Sequence, residues 1–300
     1  MDATAPIDGR RRKRLRASAV GFRRDPSVAG PGTSPTLDAP GDADRTRSEG
    51  DPELLALTAE PYADVTDARD RLRALQAAFE ARDDRRAVFL SVYSRMTAAV
   101  AERIRRGEFA DPAWVSDYLV VFANHYREAV SDYESGAVDR LADAWRVAFD
   151  AAARGDSLVL QDTALGVNAH INYDLALTLA AVGVDPNRSE RYADHSAVTG
   201  VIRDVLDETQ DALAARDAPG IERLDDSLGS FDEWLCVFTV DECRDSAWRT
   251  ALGLRSRFGL RRRLARWTND VTATGAAHLI LAPRASERVH DSLRTLEGTG

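Results

Sequence analysis

Apolar residues recur along most of the chain at the spacing of an amphipathic α-helix, about 3.6 residues per turn. Each apolar stripe ends at a Gly, Pro or Asp, residue types that begin or end helices. We therefore predict a succession of helices with one buried face each. The first four stripes are Val65, Ala68, Leu72, Leu75 and Phe79; Val88, Val92, Met96, Ala99 and Val100; Val115, Tyr118, Phe122, Ala129 and Tyr133; and Leu141, Trp145 and Phe149.

The boundary residues agree with these stripes. Gly107 is expected to end the second helix, and Asp111 and Pro112 to begin the third as N-cap and first-turn proline. A fifth helix is predicted for residues 157–183, closed by Gly183 and Pro186. The later helices are indicated by Val198, Val201, Ile202, Val205 and Leu213; by Phe231, Trp234, Leu235 and Phe238; by Trp248 and Leu252; and by the segment from Leu264 to Leu281.

No run of alternating β-branched residues predicts a sheet, and no internal repeat is present. The predicted fold is all-α: one bundle-like domain of eight or nine helices over residues 60–283, around a buried central helix. Residues 1–50 combine many Pro and Gly residues with no apolar period, so we expect a disordered, Arg-rich tail there. Residues 284–300 are expected to form a C-terminal tail.

The fifth helix differs from the others because it is apolar on all sides, which predicts burial on all sides. Yet His170 and Asp174 share one face of it, and Asn168 and Asn172 share the opposite face. Both pairs are spaced i, i+4, so the two side chains of a pair can touch or converge on one target. A buried polar group without a partner costs about 1–3 kcal/mol. We therefore expect each of these residues to have a partner.

Two interpretations of the central helix compete. In the first, His170 and Asp174 line a cleft and act as ligands of a divalent metal such as zinc, or as a base and its orienting group. Asn168 and Asn172 would then bind substrate or support the ligands. In the second, Asp174 fixes the His170 tautomer and the asparagines bridge neighbouring helices, so the residues form a structural network.

The remaining histidines supply candidates for further metal ligands. His125 lies on the apolar face of the third helix, where a satisfied core histidine is the common case, but it is the best-placed third ligand. Asp194 and His195 are placed at the start of the sixth helix, where Asp194 is expected to be the N-cap. His195 is another candidate metal ligand. His278 is expected to lie in the core. No phosphate-binding loop, dinucleotide fingerprint or nucleophile elbow is present.

Charge adds two expectations. The chain has 40 basic residues, of which Lys13 is the one lysine, and 49 acidic residues, for a net charge of −9. Such an acidic, Lys-poor composition is typical of proteins in concentrated salt, although a high-GC genome would also replace Lys by Arg. Residues 1–24 carry eight basic and two acidic side chains, or +6. We expect a solvated tail, with nucleic-acid binding through it as the alternative.

The cellular compartment is predicted from the lack of membrane-spanning and export segments and from the cysteine content. No run approaches the roughly 18 apolar residues needed to span a bilayer, and the arginines near the N-terminus precede no export-type apolar stretch. Cys236 and Cys243 are the two cysteines, a number that favours a reducing compartment and buried thiols. We therefore predict a cytoplasmic protein without a membrane partner.

The stretch Asn168-Ala169-His170-Ile171-Asn172-Tyr173-Asp174-Leu175 resembles the N-A-H-I-N-x-D-L signature of a prokaryotic family of unknown function. The upstream pattern is similar as well, with Gly107-x-Phe109, Asp111-Pro112-x-Trp114-Val115 and Ala144-Trp145 in the same order. The resemblance covers roughly residues 65–255 and implies an all-α domain. It supplies candidate positions, Asn168, His170, Asn172 and Asp174, without a chemistry.

The two interpretations give two functional hypotheses. The first is a metal-assisted hydrolase with a polar pocket beside the central helix. The second is a non-catalytic helical module, which binds a small molecule or another protein and in which the same residues are structural. The sequence leaves the substrate of either one unassigned.

Overall fold

The computed structural model describes residues 50–216 and 240–282. In this part of the chain every regular element is helical, which confirms the all-α prediction. The helices are α1 (Pro52–Thr58), α2 (Val65–Glu80), α3 (Arg86–Arg106), α4 (Pro112–Glu134), α5 (Asp143–Arg154), α6 (Val159–Val167), α7 (Leu175–Val182), α8 (Arg188–Arg216), α9 (Val240–Leu254) and α10 (Gly259–Leu281). A π-helical segment, Asn168–Asp174, joins α6 to α7 without a break. We call this continuous unit, residues 159–182, the central helix.

Local sequence signals set several helix ends. The Asp111 side chain accepts a hydrogen bond from the Trp114 amide at 3.0 Å, and Pro112 occupies the first turn of α4, as predicted. Gly107 adopts φ 72° at the end of α3, a left-handed conformation that is costly for residues with a Cβ. Gly183 follows α7. Each of these boundaries was expected from residue type and spacing.

The central helix lies inside the bundle, as its apolar residues predicted. Its first part packs against α3 and α5, its π-helical segment against α4, α5, α9 and α10, and α7 against α4 and α9. Leu165, Leu175 and Leu179 are completely buried. Burial of such a side chain contributes about 1.5–3 kcal/mol, so this helix is a major source of core stability.

Other helices are rotated or displaced relative to the prediction. On α3 the predicted stripe through Val88, Val92 and Met96 is only half-buried. The buried face lies one position further on, at Phe89, Leu90, Tyr93, Thr97 and Val100, because the large aromatic side chains turn toward the core. Helix α8 begins at Arg188, several residues before the predicted start.

Helix α10 departs most from expectation. It begins at Gly259, and its buried face consists of Asn269, Ala273, Ala276, Ala277 and Ile280. His278 is exposed, so its predicted core position was wrong. The helix predicted around Phe231 and Trp234, and both predicted tails, lie outside the described residues. Within residues 50–216 and 240–282, no helix combines the length and the apolar content needed to cross a bilayer.

Candidate functional site

The polar residues of the signature stretch all lie in the π-helical segment. The Leu175 amide donates to the His170 carbonyl, five residues back, where an α-helix would bond four residues back. Such π-helical turns are frequent at functional sites, because the wider turn alters which side chains face one another. The sequence contained no signal for this turn; the periodicity predicted an uninterrupted α-helix.

His170 and Asp174 form a hydrogen-bonded pair, as their spacing predicted. Nδ1 of His170 lies 2.9 Å from Oδ2 of Asp174, and both side chains are buried. The indole Nε1 of Trp145, on α5, donates to the same carboxyl oxygen at 2.9 Å. The carboxyl group thus fixes the orientation of the imidazole and ties the central helix to α5.

Aromatic rings enclose the imidazole of His170. Phe122 stacks on it with ring centroids 3.6 Å apart, and Tyr93 meets it nearly at right angles at 4.4 Å. Phe89, Tyr126 and Trp145 surround it at centroid distances of 5.9, 6.1 and 5.9 Å. We call these five rings the aromatic box. A cavity of about 10 Å³ adjoins Phe89, Tyr126 and Trp145, which is at the lower limit for one water molecule.

Burial dominates the electrostatics of the pair. It raises the pKa of Asp174 to about 7, against the opposing effects of nearby His125 and the Trp145 hydrogen bond. Burial also lowers the pKa of His170 well below its usual value of 6.5. The imidazole is therefore neutral near pH 7, and the carboxyl group is partly protonated. A neutral pair avoids most of the desolvation cost of a buried ion pair.

The two asparagines connect the central helix to α10. Nδ2 of Asn172 donates to Oδ1 of Asn168 at 2.9 Å, and Nδ2 of Asn168 donates to the Ala273 carbonyl at 2.8 Å. From the opposite side, Nδ2 of Asn269 donates to the Tyr173 carbonyl at 3.0 Å. Asn172 also lies near the Cys243 thiol, whose pKa burial raises to about 11. The partners that the sequence analysis required are therefore present.

His125 lies close to the pair without a hydrogen bond to it. Burial lowers its pKa, the Asp174 carboxyl opposes that shift, and His170 adds to it, so the three groups are within electrostatic range. Nε2 of His125 and Nε2 of His170 are both buried and have no hydrogen-bond partner. Buried nitrogen atoms without a partner are uncommon in folded proteins and invite an explanation.

His195 belongs to a different cluster, between α4, α8 and α9. Its Nδ1 lies 3.3 Å from the Tyr118 hydroxyl and 3.2 Å from the guanidinium of Arg244, and its Nε2 donates to the Arg244 carbonyl. Burial and the Arg244 charge lower its pKa well below 6.5. None of its contacts is His170 or Asp174, so the structure does not bring this predicted ligand to the pair.

Arg244 is a residue that the sequence analysis missed. Its guanidinium is buried and donates to Thr199 Oγ1 at 2.8 Å and to the His195 carbonyl at 2.9 Å. In the described ranges no carboxylate pairs with it. The sequence of α9 contains no pattern that distinguishes this buried cation from a solvated one.

Asp194 was misplaced by the prediction. It lies in the second turn of α8 and is buried, and its two carboxyl oxygens accept the amides of Ala110 and Asp111 at 2.8 Å each. It is therefore not the N-cap of α8. It holds the segment that leads into α4.

Gly166 is a second missed residue. A Cβ at this position would lie 2.3 Å from Cγ and 2.7 Å from Cβ of Phe89, so only glycine allows α3 to approach the central helix so closely. A glycine inside an apolar helical run was the available signal, since such a glycine lowers helix stability unless packing requires it.

Metal binding depends on a suitable set of ligands. In the part of the chain that the structure describes, no three His, Cys, Asp or Glu side chains are grouped closely enough to hold a metal ion. The four predicted ligands thus divide into a contacting pair, His170 and Asp174, a neighbour, His125, and a separate residue, His195.

The fold and this site define an all-α protein with a π-helical polar network in its core. The chain belongs to a family of unknown function (DUF5995), whose model matches residues 65–283. This confirms the resemblance at the level of the family. No curated protein and no solved structure matches the chain.

Proposed function

We propose that this protein is a non-catalytic helical interaction module, and that the polar residues of its central helix are a structural network. The observation that carries this proposal is the set of hydrogen bonds within the chain: His170 to Asp174, Asp174 to Trp145, and Asn172 through Asn168 to Ala273. These bonds link the central helix to α5 and α10. A network of this kind specifies how the helices pack.

The environment of His170 supports the same proposal. A general base or a metal ligand must reach its substrate or metal directly or through one water molecule. Phe122 covers one face of the imidazole and Tyr93 packs against it, and the cavity adjoining the aromatic box has the size of one water molecule. The raised pKa of Asp174, caused by burial, also suits a core better than a site whose carboxylate must hold a cation.

The test is elemental analysis combined with unfolding of His170→Ala, using protein purified without chelator or nickel resin. We expect no bound metal in the unsubstituted protein. We also expect a loss of about 2–4 kcal/mol in the free energy of unfolding for the variant, because the Asp174 carboxyl loses a partner. About one equivalent of zinc in the unsubstituted protein, absent from a folded His170→Ala variant, would overturn the proposal.

One observation keeps metal-assisted hydrolysis as a second candidate. Nε2 of His170 and Nε2 of His125 are buried and without partners, and such nitrogen atoms are zinc ligands when they converge. In this candidate His170, Asp174, His125 and His195 are the ligand set, and Asn168 and Asn172 bind substrate. It requires a rearrangement that brings His195 to the pair. Bound zinc, with hydrolysis of a phosphoester or acyl ester, would support it.

Two further expectations stay proposals. Nucleic acid is the alternative partner of the Arg-rich residues 1–24. Deletion of these residues should abolish binding of DNA or RNA, and unchanged affinity would exclude this partner.

A cytoplasmic location is proposed from the cysteine content and the composition, and fractionation of the source cells would test it.

A further inference from the structure

Helix α10 has a second apolar face that points away from the protein. Leu260, Leu264, Trp267 and Val271 follow one another at i, i+4, i+7 and i+11, so they share one side of the helix. The buried residues Asn269, Ala273 and Ile280 lie on roughly the opposite side. The four side chains are 82, 57, 62 and 48% exposed. We call them the outward stripe.

The size and continuity of the outward stripe distinguish it from scattered surface apolar residues. Single exposed leucines need no explanation, but a contiguous apolar patch marks a site of interaction. Phe258, immediately before α10, is another exposed apolar side chain at this end of the helix. The helix thus presents apolar side chains over three turns on the face that contributes nothing to its own core.

Arginines surround the outward stripe. Residues 255–271, which include the whole stripe, contain six arginines and one carboxylate, Asp270, in a chain whose net charge is −9. All six are exposed, and Arg261 and Arg263 flank the stripe on its two sides. The charge of this surface is therefore opposite to that of the protein as a whole.

We propose that the outward stripe and its arginines bind the surface of an anionic lipid bilayer. A helix with Leu, Trp and Val on one side and arginine beside and behind them is the pattern of an interfacial helix, whose affinity combines apolar burial with attraction to anionic headgroups. Trp267 suits the boundary between acyl chains and headgroups. The four side chains share one side of the helix and are all exposed, so one surface can contact them together.

The charge argues against a second copy of the chain as the occupant. Two copies that met through this stripe would bring two clusters of six arginines close together, and the repulsion between them is unfavourable without intervening anions. The prediction of no membrane partner rested on the lack of a spanning segment, and a helix that lies on the surface needs none. The inference rests on the proposed function, since it names the partner of the interaction module.

The experiment is co-sedimentation of the full-length protein with vesicles of phosphatidylglycerol and phosphatidylcholine, against vesicles of phosphatidylcholine alone. We expect binding to the anionic vesicles, at least about tenfold weaker binding to the neutral ones, and a partial loss of binding as KCl is raised. The tryptophan emission should shift to the blue with vesicles, and Trp267→Phe should remove that shift.

Matched variants locate the contact. Leu264→Ser should weaken vesicle binding about tenfold or more, whereas Leu279→Ser should leave it unchanged, although the two leucines are 57 and 58% exposed on the same helix. Arg261→Gln with Arg263→Gln should weaken binding, and Arg105→Gln with Arg106→Gln, at the end of α3, should not. The Arg-rich N-terminal residues are present in every variant, so they cannot produce these differences.

Three results would overturn the inference: no binding to anionic vesicles at low salt, equal binding by Leu264→Ser and Leu279→Ser, or self-association that Leu264→Ser abolishes. The last result would assign the stripe to a second copy of the chain. Each is independent of the metal and unfolding measurements on His170, so failure of this inference and failure of the proposed function can be told apart.

Discussion

The central helix and α10 both depart from the usual distribution of side chains, in which apolar groups are buried and polar groups are exposed. The central helix places His170, Asp174 and Asn168 inside the core, whereas α10 places Leu260, Leu264 and Trp267 in solvent. In the core, the polar groups find partners within the chain at 2.8–2.9 Å. On the surface, the apolar side chains of the outward stripe remain 48–82% exposed.

This difference indicates that the polar network contributes to the stability of the fold, whereas the exposed stripe is available for interaction with a partner. A polar network whose hydrogen bonds are made within the chain stabilises the packing of the helices, because its loss leaves further buried groups unsatisfied. An exposed apolar stripe contributes little to the stability of the folded state, and it contributes to binding affinity when a partner covers it. In the function that we propose, the signature residues have a structural role, although their side chains are of types common in active sites. The surface that we propose to be functional carries no recognisable motif.

The largest expected effect on stability is that of Asp174→Ala. The substitution leaves the Trp145 indole N–H and the His170 Nδ1 without their buried acceptor, and we expect a loss of about 3–5 kcal/mol in the free energy of unfolding. Asp174→Asn keeps an acceptor oxygen and should cost clearly less. Urea unfolding measures both variants. Equal, small losses would mean that the pair is not part of the structural network.

Gly166→Ala should have the next largest effect. The added Cβ would overlap Phe89, so we expect a loss of about 1–3 kcal/mol despite the better helix propensity of alanine. Gly275→Ala is the matched control on α10, where no atom lies within 4 Å of the added Cβ. It should stabilise the protein by about 0.5–1 kcal/mol. Thermal unfolding of the two variants should shift in opposite directions, and a shift in the same direction would contradict the close approach of α3.

The pH dependence of stability should show opposite contributions from the buried pair. His170, His125 and His195 have folded pKa values below 6.5, so the unfolded chain binds more protons at low pH and stability rises toward about pH 6.5. Asp174 has a folded pKa of about 7 against 3.8, so its contribution falls as pH rises from about 4 to 7. Asp174→Asn removes this opposing contribution.

Urea midpoints between pH 5 and 6.5 test this prediction. The rise in stability should be steeper in Asp174→Asn than in the unsubstituted protein, by up to about 1.4 kcal/mol per pH unit for one proton. His170→Gln should show the reverse, a shallower rise. Parallel curves for all three proteins would show that the pair does not titrate as its burial implies.

The smallest expected effect on stability is that of Leu264→Ala in the outward stripe. Because the side chain is exposed, the free energy of unfolding should change by no more than about 0.5 kcal/mol. Leu179→Ala, in the buried face of the central helix, should cost about 2–5 kcal/mol. If Leu264→Ala were as costly as Leu179→Ala, the stripe would be covered within the folded chain and the contrast between the two helices would fail.

Sequence reasoning was most successful where a signal is local. Asp111 and Pro112 begin α4, Gly107 ends α3, and the burial of the central helix follows from its apolar residues. It was less successful at predicting which side of a helix faces the core. The stripe on α3 was assigned one position away from Phe89 and Tyr93, and His278 on α10 was expected in the core but is exposed. Periodicity identifies an apolar face but does not identify which neighbour covers it.

The contacts of the candidate site also divide into those that the sequence predicts and those that it does not. The contacts of His170 with Asp174 and of Asn168 with Asn172 follow from i, i+4 spacing, which the chain determines by itself. The partners from other helices, Trp145, Phe122 and Ala273, were not predictable as partners, because they are distant in sequence. For the same reason His195 could be proposed as a ligand of the same site, although it lies with Arg244.

The sequence by itself determined the all-α class, several helix boundaries and the pairing of polar residues along the central helix, because these depend on interactions between residues a few positions apart. Only the tertiary structure decided the π-helical turn at Asn168–Asp174, the aromatic box around His170 and the outward direction of the second face of α10. These features depend on which helices meet and at what distance. That outcome is set by the packing of the whole core rather than by any single segment.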